Sequence, residues 1–376
     1  MKIICLKLVM AVALICNCHY SHIAAQTSSG VPVSKRITLR LDPGPDNPRN
    51  TEGDFITLKD GRILYVYSKY SGNSTSDHAP AFLAGRYSGD GGKTWSNTDE
   101  IIVEKEGLMN VMSVSLVRLN PGQIALFYLR KNSVTDCIPM MRTSSDEGKT
   151  WSDAITCIRD REGYFVLNND RVIRLKNGRL LMPVALHTSP EGNWQEKANL
   201  FCYYSDDEGR SWQSAEVPDN TTLLTQEPGV VELGDGRILI FIRASGGVQL
   251  FSYSTDGGQS WSAVEKSTIR SPISPASVSR IPGGHKLLLV WNDNDDSNPR
   301  TGNQRTPLNL AISTDHGKTW SHKKTIENDP DGWFCYTAIH FHKKHLLLGY
   351  ISGSQSRKAH LSASRIVQIR LKDIVE

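Results

Sequence analysis

Helical periodicity is almost absent from this chain. Outside the N-terminus no segment keeps an apolar stripe at 3.6-residue spacing for a dozen residues, so bundles and helix-covered sheets are excluded. After the first two dozen residues there is no apolar run long enough to span a membrane. Neither charge sign dominates. The 43 Lys and Arg against 39 Asp and Glu leave a formal +4, and two of those charges are Lys2 and Lys7. A near-neutral remainder gives no electrostatic footprint for nucleic acid. Cysteine is sparse, seven in 376 residues, and its spacing is not that of a zinc site. No spaced run of acidic ligands ends in Glu as a calcium loop requires. The sequence therefore shows no metal site and calls for no cofactor. No Pro/Ser-rich linker divides it.

The N-terminus is different in kind. Lys2 and Lys7 precede an apolar run at 8–16 and small residues ending at Ala24 and Ala25. This is the pattern of a secretory signal peptide over residues 1–25, with residues 26–376 as one domain, secreted or periplasmic. The residues before Cys16 and Cys18 fit a lipoprotein acceptor poorly. Beyond the leader stand Cys137, Cys157, Cys202 and Cys335. An even count in an exported chain permits disulfides. Cys137 with Cys157 is the first expectation, and four buried thiols the alternative.

What the chain does have is repetition. A phrase Ser-x-Asp-x-Gly-x-Thr/Ser-Trp occurs five times, at 88–95 (SGDGGKTW), 144–151 (SSDEGKTW), 205–212 (SDDEGRSW), 254–261 (STDGGQSW) and 313–320 (STDHGKTW). The chemistry is that of a tight turn. The Asp accepts hydrogen bonds from nearby amides, the Gly supplies a left-handed conformation, and the Trp anchors the turn on its own sheet. Such spacing means one supersecondary unit repeated.

Between the boxes lie apolar hairpins with Gly-containing turns, at 55–67, 114–130, 170–186, 229–243 and 276–292, with a sixth at 337–352. Each reads as a run, a turn and a second run. Six hairpins, each followed by a third and fourth strand, predict an all-β chain, a six-bladed β-propeller. Segment 365–371 and an N-terminal strand at 36–41 are expected to close the last blade and protect its edges.

In an up-and-down blade the 1–2 and 3–4 turns share a face. That face takes the Asp-Gly-Arg turns and the boxes. The opposite face gathers Glu52, Asp54, Asn110, the run 168–171, Gln226, Glu227 and Tyr336 from the starts of first strands. To these it adds Asp77, His78, Arg130, Lys131, Asp136, His187, Arg243, Asn292 and Asp293 from the ends of second strands, and Arg305 from a third. Carboxylates, arginines and a tyrosine at the mouth of a propeller describe a ligand cleft. Guanidinium groups there read a carboxylate or sulfate bidentately.

At this point the chain resembles the sialidase (neuraminidase) superfamily of six-bladed, Asp-box glycoside hydrolases over nearly its whole length past the leader. In Gln226-Glu227-Pro228-Gly229-Val230-Val231-Glu232-Leu233, Glu227 falls where the family carries the base that serves a nucleophilic tyrosine. Gly332-Trp333-Phe334-Cys335-Tyr336-Thr337 carries that tyrosine as Tyr336. Arg243 and Arg305 match two arginines of the substrate-binding triad, and Asp77, before the first box, matches the acid/base. The family's first triad arginine has no counterpart by register, since Thr51-Glu52-Gly53 stands there. Arg49, Arg130 and Arg171 are candidate replacements. Glu52 alternatively implies a different sugar, with hydroxyls where a carboxylate would lie.

The resemblance implies an exo-acting retaining glycosidase releasing terminal sialic acid, with an anionic glycan or glycoconjugate as its partner. A tyrosine suits that substrate because a carboxylate nucleophile is repelled by the carboxylate on the anomeric carbon, an exception to the two-carboxylate scheme. The alternatives are a hydrolase or lyase acting on a uronate-containing glycan, and a non-catalytic glycan-binding propeller.

Overall fold

The computed structural model describes residues 30–189, 192–294 and 304–375. The expected signal peptide and Cys16 and Cys18 lie outside them. The described chain is all β apart from one short helix, Lys372–Val375. None of its helices is long and apolar enough to cross a membrane.

The strands form antiparallel runs in chain order. Asn50–Thr57, Ile63–Tyr70, Ala81–Ser88 and Glu100–Val103 make the first. Asn110–Arg118, Ile124–Lys131 and Cys137–Ser144 belong to a nine-stranded sheet. A parallel contact at Tyr164 and Cys137 joins them there to Leu180–Thr188, Asn199–Ser205 and Gln213–Glu216. Thr225–Glu232 opens a four-stranded sheet ending at Glu265–Arg270, and Ser277–Arg280 opens another ending at Ser321–Glu327. The last sheet holds Gly332–His342, His345–Ser354 and Ser364–Arg370, and its outer place is taken by Lys35–Leu41 from the other end of the chain. The N-terminal strand thus pairs where the sequence placed it.

Contacts between the sheets run in sequence. The inner strand Asn50–Thr57 packs on Asn110–Arg118, Thr225–Glu232 packs on Leu180–Thr188 and Ser277–Arg280, and Gly332–His342 packs on both Ser277–Arg280 and Asn50–Thr57. The apolar clusters bridge neighbours. Leu64 and Val66 of one sheet share a cluster with Leu126 and Tyr128 of the next. Each sheet thus buries its face only against its neighbours, as repeat units do.

The five boxes have one geometry. In the second, Ser144 Oγ donates to Asp146 Oδ1 at 2.8 Å, and Asp146 accepts from the Thr150 amide at 2.9 Å and the Thr150 hydroxyl at 2.6 Å. Gly148, at φ 83°, supplies the left-handed turn. The tryptophans reach further than their own hairpins. Trp151 packs on the Leu64–Leu126 cluster, and Trp212 meets Phe127 of the preceding hairpin edge-on at 6.0 Å. Boxes and hairpin turns share a face: Glu147 of the second box accepts the Lys59 amide, in the first hairpin turn, at 2.8 Å.

The expected disulfide is not formed. Cys137, Cys157, Cys202 and Cys335 are all free and buried. Cys137 and Cys157 pack as small apolar groups in one cluster with Phe127, Phe165 and Met182. Burial pushes the Cys137 thiol up to about 12, which keeps it protonated and unreactive.

Candidate active site

At the strand ends away from the boxes lies a cleft of about 200 Å³. Four of its polar side chains arrive by the same backbone device. Near the start of four inner strands the register slips, between Thr51 and Asp54, Met112 and Ser115, Gln226 and Pro228, and Cys335 and Ala338. Within each slip one non-glycine residue is left-handed: Glu52 (φ 53°), Ser113 (φ 60°), Glu227 (φ 43°) and Tyr336 (φ 54°). Bulges of this kind re-aim a side chain, and a left-handed non-glycine costs on the order of 1–3 kcal/mol that the surroundings must hold. All four line the cleft. Space is tight beside them: a Cβ on Gly53 would fall 2.4 Å from Tyr65 Cζ.

Tyr336 and Glu227 come together. The Tyr336 hydroxyl donates to Glu227 Oε1 at 3.1 Å, and Arg243 Nη1 lies 2.7 Å from Glu227 Oε2. Burial alone pushes Glu227 up, but Arg243 and Arg305 outweigh it and hold the carboxyl below its ordinary value. Burial, then Glu227, pushes the Tyr336 phenol well up. The resting pair is therefore a neutral phenol donating to a carboxylate. Arg305 sits behind Tyr336, its guanidinium carbon 5.2 Å from the centres of both the Tyr336 and Trp333 rings. Its Nη1 is buried and has no hydrogen-bond partner among the described residues.

Asp77 lies across the cleft on a loop held by two anchors. Asn110 Nδ2 and Lys131 Nζ each donate to the Asp77 carbonyl at 2.8 Å. Its side chain is 55% exposed and ion-paired to Arg49. Desolvation pushes that carboxyl up, yet Arg49 wins and holds it below the usual range.

The candidate replacements for the first triad arginine separate clearly. Arg49 is 1% exposed, 3.4 Å from Glu52, and stacked 4.5 Å over the Tyr70 ring. It backs Glu52 and Asp77 rather than lining the cleft. Arg171 is buried at the centre, donating to the Ala276 carbonyl at 2.7 Å and the Ser277 hydroxyl at 3.3 Å. With Asp54, which accepts the Leu116 amide at 2.7 Å, and Asp170, which accepts the Ile339 amide at 2.8 Å, it stitches inner strands together. Arg130 is half-buried and does not line the cleft, while its neighbour Lys131 does. Successive residues of a strand point to opposite faces, and Ile124–Lys131 ends with the lysine inward.

Glu52 does line the cleft, accepting from Ser113 Oγ at 2.5 Å. Burial, partly opposed by Arg49, raises its carboxyl above the ordinary value. Ser113, Tyr164 and Trp194 also line the cleft, and no motif singled them out. A signal for the first existed. Glu52, Ser113 and Glu227 each stand nine residues before the glycine of the next turn, Gly61, Gly122 and Gly236.

An all-β chain with five Asp-boxes and a tyrosine–glutamate pair opposite them belongs to a recognisable class. The profile of the BNR repeat-like domain matches residues 86–351, and the chain belongs to that sialidase-like superfamily. A sialidase of Bacteroides fragilis is 27% identical over 249 residues, covering 63% of this chain and 42% of that protein. A sialidase of Micromonospora viridifaciens is 28% identical over 369 residues, 84% of this chain and 55% of that one. The chain thus spans about half the length of these curated relatives. Among solved structures, a Hadza microbial sialidase superposes with a TM-score of 0.71 at 18% identity, covering 88% of this chain and 67% of that one. That likeness speaks for the fold alone.

Proposed function

We propose that this protein is an exo-acting retaining glycoside hydrolase of sialidase type, a single six-bladed propeller over residues 26–376 that is exported behind the leader 1–25. The observation that carries the reading is the 3.1 Å hydrogen bond from Tyr336 to Glu227 inside the cleft. Glu227 takes the phenolic proton as Tyr336 Oη attacks the anomeric carbon, and Asp77 protonates the departing oxygen. Asp77 then removes a proton from water, which displaces the tyrosine as Glu227 returns its proton. Two displacements retain configuration. Arg243 at the cleft and Arg305 behind Tyr336 supply the positive charge that a terminal sialic acid's carboxylate requires.

A second reading is favoured by one observation. Glu52 occupies the cleft, Arg49 is committed to Asp77 and Glu52, and Arg305 lies behind Tyr336, so among the described residues Arg243 is the one arginine that lines the cleft. A uronate-containing glycan, with hydroxyls towards Glu52, meets the same cleft.

The experiment is a panel: a fluorogenic α-sialoside, aryl uronates and neutral aryl glycosides, with wild type and Tyr336→Phe. Release from the sialoside, falling more than about 10³-fold in the variant, is expected. Full activity in Tyr336→Phe overturns the mechanism. Release from the uronate alone selects the second reading.

A further inference from the structure

Beside the cleft is a second hollow of about 470 Å³, within the range of small-molecule sites. The two share Asp77, Tyr164 and Trp194. Trp194 is 48% exposed and Val134, on the same hollow, 56%. They are two of only five large apolar side chains so exposed among the described residues. Exposed apolar groups gathered at one hollow mark a binding surface more than chance does.

The indole is held for use. One face lies flat on the His187 ring, centroids 4.3 Å apart and planes 3° apart, and Tyr164 meets it edge-on at 5.4 Å. The loop behind it is pinned. The Gln195 amide donates to the His187 carbonyl at 2.8 Å, His187 Nδ1 lies 2.8 Å from the Gln195 carbonyl, and Gln226 donates to the Glu196 carbonyl at 2.8 Å. With one face covered, the other is the one left to the hollow. Thr135, Asn193 and His78 line the same hollow with polar groups.

We propose that this hollow is the leaving-group subsite, and that it takes a neutral hexopyranose stacked by its C–H face on Trp194. The placement rests on the catalytic reading above, in which Asp77 protonates the glycosidic oxygen. Asp77 lines both hollows, so the bond to be broken lies at their junction, with the terminal sugar on the Tyr336 side and the sugar released on the Trp194 side. A flat indole suits the apolar face of a pyranose, and the rim supplies partners for its hydroxyls.

Two measurements test this. Lactose, a bare leaving group, is mixed with wild type, Trp194→Ala and Trp194→Phe, and binding is followed by saturation-transfer NMR. Saturation of the sugar protons by the wild type, lost in Trp194→Ala and largely restored in Trp194→Phe, is expected. In parallel, kcat/KM is compared for 3′-sialyllactose and for sialyl fluoride, whose leaving group is one atom. Trp194→Ala should lower the ratio of the first to the second about 10-fold or more, mainly through KM. An unchanged ratio, or lactose saturation indifferent to Trp194, overturns the proposal. If wild type cleaves no sialoside, the catalytic reading falls, and the lactose arm still decides whether the hollow holds a sugar.

Discussion

The guanidinium of Arg49 controls how Asp77 titrates. Desolvation pushes the Asp77 carboxyl up, and Arg49 more than offsets it. In the acid role proposed for it Asp77 must hold a proton, so a depressed pKa makes activity fall early as pH rises. Replacing Arg49 by Met leaves the burial and removes the offset, so the alkaline limb of kcat/KM should move to higher pH. A pH–rate profile checks this, and an unmoved limb would detach Arg49 from Asp77 or Asp77 from the acid step. At this scale motif phrases told much. The structure joins Glu227, Tyr336 and Arg243 in hydrogen-bonded and ion-paired contact. The register of a strand end told less: Arg130 and Lys131 are adjacent in sequence, and only the alternation in the folded strand says which faces the cleft.

At the scale of the element, the left-handed bulges are the feature that composition hides. Glu, Ser and Tyr are poor left-handed residues, so nothing in their identity announces φ near 50°. Their cost can be measured. Ser113→Ala and Ser113→Gly both lose the hydrogen bond to Glu52. Only Gly relieves the strain at φ 60°, so Ser113→Gly should be the more stable variant by about 1 kcal/mol, the reverse of the usual preference in a strand. Denaturant unfolding of the two compares them directly, and Ala being the more stable would remove the claim of strain. The box turns were legible because their Asp and Gly chemistry is local. The reach of Trp151 to Leu64 of the neighbouring sheet was not, since it depends on how two units dock.

For the molecule as a whole, the boxes tie stability to pH. The Asp146 carboxyl is held at about 2, first by the Thr150 hydroxyl and then by its amide. Asp90, Asp256 and Asp315 also lie at about 2, because hydroxyl and amide donors outweigh their desolvation. An unfolded Asp titrates near 3.9. Each of these four boxes therefore stabilises the fold fully above roughly pH 4 and loses that stabilisation as pH falls through about 2. Tm should drop steeply between those values, and less steeply in Asp146→Asn. A flat Tm there would mean the box hydrogen bonds do not persist in solution. Order of strands and identity of repeats were readable from spacing. The central stitching by Asp54, Asp170 and Arg171 was not, because it joins residues far apart in the chain.

Lys35–Leu41 completes its sheet only against Ser364–Arg370, and Thr38 bonds the Ile366 carbonyl at a sequence separation of 328. On a ribosome Lys35–Leu41 must wait, unsatisfied along one side, until residues 364–370 have emerged. Assembly of this sheet therefore follows synthesis of the whole chain between its two partners, and a stop codon before residue 364 leaves the earlier strand unpaired.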